Sequence, residues 1–162
     1  MKKVAIIMGS DSDWPILKPA YEILKEFEID AEILVDYAHR NPNTVRNFVL
    51  NSEKQGIKIL IAGAGAAAHL PGVIASYTTL PVIGVPISSS VLKGLDALLS
   101  IVQMPSGIPV ATMAIDGGKN AGLFALSILS VEDKMIADKL TEFRENQIKQ
   151  VEEKNTAIQL NL

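Results

Sequence analysis

Short runs of β-branched and aliphatic residues alternate along this chain with stretches in which apolar residues return every three or four positions. Val4–Met8 (VAIIM), Ala31–Val35 (AEILV), Ile57–Ala62 (IKILIA), Pro81–Ile87 (PVIGVPI) and Val110–Ile115 (VATMAI) read as strands. They are near-continuously apolar, as strands of a parallel sheet covered on both faces must be. The stretches between them read as helices. The first is expected from about Asp13 to Phe27, with Ile16, Leu17, Ala20, Ile23, Leu24 and Phe27 on one face. Pro15 suits its first turn, whereas Pro19 deletes an internal hydrogen bond and predicts a kink or a late start. Pro42 opens a second helix that ends near Gly56, and further helices are expected over roughly His69–Tyr77, Leu92–Val102 and Asn120–Leu129. Five β-α units in succession predict an α/β fold, a doubly wound three-layer sandwich whose parallel sheet has the flavodoxin-like strand order.

The last segment follows a different pattern. From Val131 to about Lys154 the chain is charged, with Ile136, Leu140, Phe143 and Val151 at helical spacing. At 1.5 Å per residue such a helix is ~35 Å long, more than a small sheet needs. Two readings stand: a solvated amphipathic tail, or an apolar stripe that packs on another subunit. The expected organisation is therefore an α/β domain over residues 1–130, which carries the chemistry, and a C-terminal amphipathic helix and tail over 131–162.

Composition narrows the class. The chain has 162 residues, of which 48% are hydrophobic, enough for one domain with a sizeable core and too many for disorder. Its net charge of −3, without any basic run longer than Lys2-Lys3, argues against a nucleic-acid partner. The absence of cysteine excludes a disulfide framework, a thiolate nucleophile and zinc–cysteine sites. The apolar run Val4–Met8 is too short for the core of a signal peptide. No apolar stretch reaches the ~18 residues of a membrane span, so a cytoplasmic protein with no membrane partner is expected.

In an open parallel sheet, ligands bind beyond the carboxyl ends of the strands. Three suggestive clusters fall at such ends: GSDSD after the first strand, DYAHRNP after the second and GAGAAAHLPG after the third. The Gly9–Asp13 loop can offer N–H groups and hydroxyls to a phosphate, and a carboxylate to ribose hydroxyls. Plain helix capping by Ser12 or Asp13 explains it equally well. In Ala38-His39-Arg40 a proton carrier sits beside a fixed cation whose forked donors match a phosphate, although a surface histidine in a loop is an equal alternative. The run from Gly63 to Ala68 lacks side chains that could block access, so backbone can approach a flat ligand closely. Tight helix–strand packing accounts for such a run too. His69, in the first turn of the next helix, is biased towards the neutral form by the helix dipole and suits hydrogen bonding. No GxGxxG, GxxxxGK[ST] or GxSxG motif occurs, and two separate histidines make no metal set, so metal-free acid–base chemistry on a small phosphorylated ligand is expected.

Taken together, MGSDSDW, AHR before a proline, GAGxAAHLPG, LPVIGVP, SIVQMPSGIPVAT and KNAG resemble the class I N5-carboxyaminoimidazole ribonucleotide mutases of de novo purine synthesis, over Val4 to about Leu129. The class II enzymes, which use free CO2, carry AHK and lack the AAHLPG block. The resemblance implies a carboxyl shift from the exocyclic nitrogen N5 to ring carbon C4 of an imidazole ribonucleotide, with no ATP, metal or other cofactor. It implies that His39 is the catalytic acid–base, that Ser10, Ser12 and Asp13 hold the ribose-phosphate with Arg40, and that Ala64, Gly65, His69 and Leu70 wall the ring. It further implies a homo-octamer in which the C-terminal helix reaches a neighbour. Three positions depart from the family pattern: Tyr37 replaces a serine, Ala66 a glycine and Asn41 a threonine. Tyr37 is a candidate substrate contact that moves its hydroxyl outward by several ångströms. Either the phosphate is held differently, or the loop is shifted, or another ligand is bound. Ala66 matters if its position requires a positive φ or touches the base, and is otherwise nearly neutral. The alternatives left by these departures are a non-catalytic or altered-ligand nucleotide-binding paralogue and an aminoimidazole ribonucleotide (AIR) carboxylase using free CO2.

Overall fold

A computed structural model describes residues 3–36 and 42–160. In chain order the elements are β1 (Val4–Met8), α1 (Trp14–Glu26), β2 (Ala31–Val35), α2 (Pro42–Ser52), β3 (Ile59–Gly65), α3 (Leu70–Tyr77), β4 (Val82–Ile87), α4 (Leu95–Val102), β5 (Ala111–Thr112), α5 (Gly118–Leu129) and α6 (Lys134–Gln159). Short 3-10 turns precede α1 (Asp11–Asp13) and follow α2 (Glu53–Gln55). Residues up to Ala125 form one compact unit and those from Leu126 onward a second.

The first unit is built on a five-stranded sheet of order β2-β1-β3-β4-β5 with every pairing parallel, the flavodoxin-like order the alternation predicts. The strands β1 and β4 are buried along their whole length, and β3 up to Gly65. On one face Ala5, Ile7, Leu60 and Ala62 pack with Val45 and Val49 of α2, Ile74 of α3 and Ile101 of α4. The other face receives α1, whose Leu17 lies over Gly63 of β3. Each fully buried Leu or Ile contributes about 1.5–3 kcal/mol relative to exposure, so these two cores hold the sandwich together. The two edge strands are less covered: Ala111 and Thr112 of β5 are half-buried, and Ile33 and Val35 of β2 are 39% and 47% exposed.

Several boundaries differ from the sequence expectation, each for a local reason. Strand β3 begins at Ile59, because Ile57 N–H closes the end of α2 onto Ser52 C=O (3.0 Å) through the left-handed Gly56. It then runs on to Gly65, where β4 still pairs with it at Ile87. Strand β5 shrinks to Ala111–Thr112, and beyond it only single bonds reach β4, such as Asp116 N–H to Pro86 C=O (2.9 Å). Helix α4 starts at Leu95 rather than Leu92, since Lys93 and Gly94 both have positive φ and a right-handed helix cannot pass through them. Helix α1 does not start late but begins at Trp14 and runs on through Pro19. The lost N–H of Pro19 would have reached Pro15, an exposed residue whose carbonyl solvent can satisfy. Helix α6 starts later and runs further than expected, about 39 Å for its 26 residues. The Asp133 side chain caps it, accepting from Met135 N–H (3.2 Å) and Ile136 N–H (3.4 Å).

Helix α5 approaches α1 through two glycines a turn apart. A Cβ on Gly118 would collide with the Ile16 carbonyl oxygen, and one on Gly122 with Ile23 and with the Ala20 backbone (2.9 Å to its carbonyl oxygen). Gly122→Ala should raise intrinsic helix propensity by about 1 kcal/mol. The backbone of α1 cannot yield to a methyl group there, and overpacking of this kind costs about 1–3 kcal/mol. Net destabilisation is expected, read as a lower urea midpoint, and a raised midpoint would contradict this packing.

Candidate active site

Strand order reverses direction between β1 and β3, so the loops leaving these neighbours diverge and open a crevice at the carboxyl edge of the sheet. The last residue of β1, Met8, lies in register with Gly63, and the two loops that follow wall a cavity of about 230 Å³.

The first loop is organised by a capping box. Ser10 Oγ accepts from Ser12 N–H (3.2 Å), and the Asp13 carboxylate accepts from Ser10 N–H (3.1 Å). Ser10 thus caps the 3-10 turn with Asp13 answering it, and Asp13 is itself the N-cap of α1, as the sequence suggests, although its side chain makes no capping bond to that helix. Ser12 Oγ–H donates in turn to Ser10 Oγ (2.8 Å). Asp13 is 6% exposed, and its burial raises the carboxyl pKa above the ordinary 3.8. The Ser10 N–H pulls it down, the nearby Asp11 charge pushes it up, and the Gly9 N–H pulls it down again.

The second loop continues β3 through Gly65 into a tight turn, closed by Ala68 N–H to Gly65 C=O (3.0 Å). Ala66 (φ 51°) and Ala68 (φ 44°) both occupy the left-handed region, each at a cost of roughly 1–2 kcal/mol for a residue with a Cβ. The methyl group at 66 therefore sits at a position where backbone geometry favours glycine. His69 is the N-cap of α3, one position ahead of the first turn expected for it, and its side chain is exposed at the cavity. Leu70 and Pro71 open the helix and are buried.

Ser10, Ser12, Asp13, Ala64, Gly65, His69 and Leu70 therefore meet around one cavity, although the sequence separates the two groups by more than fifty residues. Tyr37, His39 and Arg40 lie outside the described residues. The cavity has a further wall that sequence reasoning misses: Ser89, just beyond the end of β4. Its signal was the Ser88-Ser89-Ser90 run after a strand carboxyl end, the same position in the fold that marked the other clusters.

A parallel three-layer sandwich with a ligand-sized crevice at its switch point, walled by a capped hydroxyl–carboxylate loop and a side-chain-poor turn, is the architecture of a small-molecule α/β enzyme. Residues 3–150 match the AIR carboxylase family, and the chain belongs to it. The Thermotoga maritima protein named N5-carboxyaminoimidazole ribonucleotide mutase is 56% identical over 154 residues, 95% of this chain and 90% of that protein. The Pyrococcus abyssi protein of the same name is 58% identical over 146 residues, 90% of this chain and 84% of its own. Among solved structures, the PurE of Treponema denticola superposes with a TM-score of 0.85 at 30% identity, covering 96% of this chain and 98% of that one.

The raised pKa of Asp13 makes a prediction about pH. The folded chain holds this proton to higher pH than the unfolded chain, so the associated stability is complete below 3.8 and is lost as pH rises through the folded-state value. Asp13→Asn keeps an acceptor for the Ser10 N–H and removes the buried charge. Relative to wild type, the variant should gain stability between about pH 4 and about pH 7, measured by urea unfolding at both. A difference that stays constant or shrinks with rising pH would show that ionised Asp13 is not penalised.

Proposed function

We propose that this protein interconverts N5-carboxyaminoimidazole ribonucleotide and 4-carboxy-5-aminoimidazole ribonucleotide, the reaction that its relatives' name denotes. One observation carries the reading: the Ser10–Asp13 loop and the Gly65–Leu70 loop converge on one switch-point cavity, in a chain more than half identical to named mutases. The name shared by these relatives favours the mutase over the free-CO2 carboxylase and over a non-catalytic paralogue.

In this reading Ser10, Ser12 and Asp13 take the ribose-phosphate, where hydroxyls and a partly desolvated carboxylate suit ribose hydroxyls and phosphate oxygens, and Arg40 pairs with the phosphate. Ala64, Gly65, His69 and Leu70 face the imidazole ring, and Tyr37 stands near the phosphate end. His39 is the acid–base group. As the carbamate C–N bond breaks and CO2 leaves, His39 delivers a proton to N5. Ring carbon C4 then attacks the retained CO2, and His39 removes the C4 proton, which returns the imidazole to its starting state. A side-chain-poor wall leaves room for CO2 beside the ring and offers no competing nucleophile. The domain carrying this chemistry is residues 1–130, the protein works in the cytoplasm, and its partners are the ribonucleotide and copies of itself.

Exposed apolar groups support assembly into a homo-octamer. Leu95, Leu99 and Val102 of α4 are each half exposed, and Ile148 and Val151 lie on the wholly exposed second half of α6. The segment 131–162 then packs on a neighbouring subunit. Sedimentation should give the mass of eight chains, and Leu95→Glu with Leu99→Glu should lower it; a wild-type monomer would overturn the assembly.

Purified protein should interconvert the two ribonucleotides without ATP. His39→Asn should lower kcat by roughly 10²–10⁴-fold, the usual contribution of general acid–base catalysis, while leaving the circular dichroism spectrum unchanged. A variant that keeps most of its activity would sink the role given to His39, and an inactive wild type would sink the mutase reading.

A further inference from the structure

Three consecutive serines follow β4, and the structure uses them differently. Ser88 N–H donates to Asp116 Oδ1 (3.0 Å) and Ser88 Oγ–H to Asp116 Oδ2 (2.6 Å), across twenty-eight residues of sequence. Ser90 Oγ–H donates to Asp96 Oδ1 (2.9 Å) and accepts from Leu92 N–H (3.1 Å). Ser89 lies between these two anchors. Among the described residues its hydroxyl makes no hydrogen bond, and it faces the switch-point cavity. It also lies so close over Gly65 that a Cβ on that glycine would overlap Ser89 Oγ.

Asp116 is itself held firmly. It sits at a positive φ of 56°, donates its N–H to Pro86 C=O (2.9 Å) at the end of β4, and accepts from Gly118 N–H (2.9 Å) as α5 begins. The loop is pressed onto the same segment from its far side, since a Cβ on Gly94 would meet Ile115 Cγ2 at 2.6 Å and Ser88 Cα at 3.2 Å. The carboxylate thus ties a loop to the sheet, and the loop carries one unengaged hydroxyl into the cavity.

We propose that Ser89 is a substrate-contacting residue and that Asp116, through Ser88, is its positioning residue. The inference rests on the mutase reading and adds to it which end of the ligand Ser89 meets. The loops bearing Ser10 and Ser89 leave β1 and β4, which are separated by β3, so their roots are about 10 Å apart at the usual strand spacing. With the ribose-phosphate on the Ser10 loop, Ser89 lies at the ring end, where the ligand's polar substituents are its exocyclic nitrogen and its carboxyl group. A neutral hydroxyl can donate to the carboxyl group or accept from the amine, and so hold the ring as the carboxyl group moves from one to the other.

The test combines kinetics on Ser89→Ala, Asp116→Gly, Asp116→Asn and the double variant Ser89→Ala/Asp116→Gly with calorimetry of aminoimidazole ribonucleotide binding. Glycine accepts the positive φ at 116, so Asp116→Gly removes the clasp without straining the backbone. Loss of one neutral hydrogen bond predicts a three- to tenfold rise in KM for Ser89→Ala, roughly, with a matching loss of affinity. Asp116→Gly should show a rise of similar size, Asp116→Asn should restore much of the loss, and the double variant should be no worse than Ser89→Ala alone. A Ser89→Ala enzyme with unchanged KM, kcat and affinity would overturn the proposal. So would an Asp116→Gly effect that adds in full on the Ser89→Ala background, which is the behaviour of a purely structural residue. A wild type that binds the ribonucleotide without turnover would instead refute the mutase reading, and Ser89→Ala would still be judged on affinity.

Discussion

Two of the last three residues of β3, Gly63 and Gly65, leave no room for a Cβ unless neighbouring side chains shift, and much of the molecule follows from that constraint. A Cβ on Gly63 would lie 2.6 Å from Leu17 Cδ1 and 3.1 Å from Ile87 Cδ1, and one on Gly65 would overlap the Ser89 hydroxyl. Leu17 anchors α1 on one face of the sheet, Ile87 ends β4, and Ser89 begins the next loop. Three separately encoded elements thus converge on the bare end of a central strand. That strand pairs with both β1 and β4, so its position sets the width of the crevice at the switch point. The same lack of side chains that permits close packing below the crevice leaves space for a ligand above it.

Carboxylates act as ties around that crevice. Asp13 locks the loop after β1 by answering the Ser10 cap, and Asp116 locks the loop after β4 through Ser88. Asp13 is almost wholly buried, and Asp116, although exposed, joins chain segments twenty-eight residues apart. Between them the β3 loop holds two alanines in left-handed geometry, Ala66 and Ala68. Strain of this kind persists only where the surroundings over-determine the backbone, and here they do, with pairing up to Gly65 on one side and α3 on the other.

Much of the fold was legible because period and length speak directly. Val4–Met8 and Ala31–Val35 read as strands and are strands over the same residues, since a short β-branched run between turn signals suits a strand both in the buried centre (β1) and at the exposed edge (β2). Boundaries were less legible where backbone conformation decides them. Nothing in the letters of Leu92-Lys93-Gly94 announces a lysine at positive φ that delays α4. Val110–Ile115 has the composition of a strand, yet only Ala111 and Thr112 keep a ladder partner at the sheet edge. Pro19 illustrates the converse, a local penalty overridden because α1 buries Leu17, Ala20, Ile23 and Leu24.

For the site, the sequence by itself determined which chemistry was available: hydroxyls and carboxylates after β1, an imidazole after the glycine–alanine run, and the family blocks that name the ligand class. Residue type and order suffice for that, because they set what a side chain can donate, accept or titrate. Only the tertiary structure decided that Ala66 bears a left-handed backbone, and that the hydroxyl of one serine of three is left unengaged by the described residues at the cavity wall. Those outcomes depend on contacts between residues far apart in the chain, such as Ser88 with Asp116 and Gly65 with Ser89. Distances of that kind are set by how the sheet pairs and are written in no local pattern.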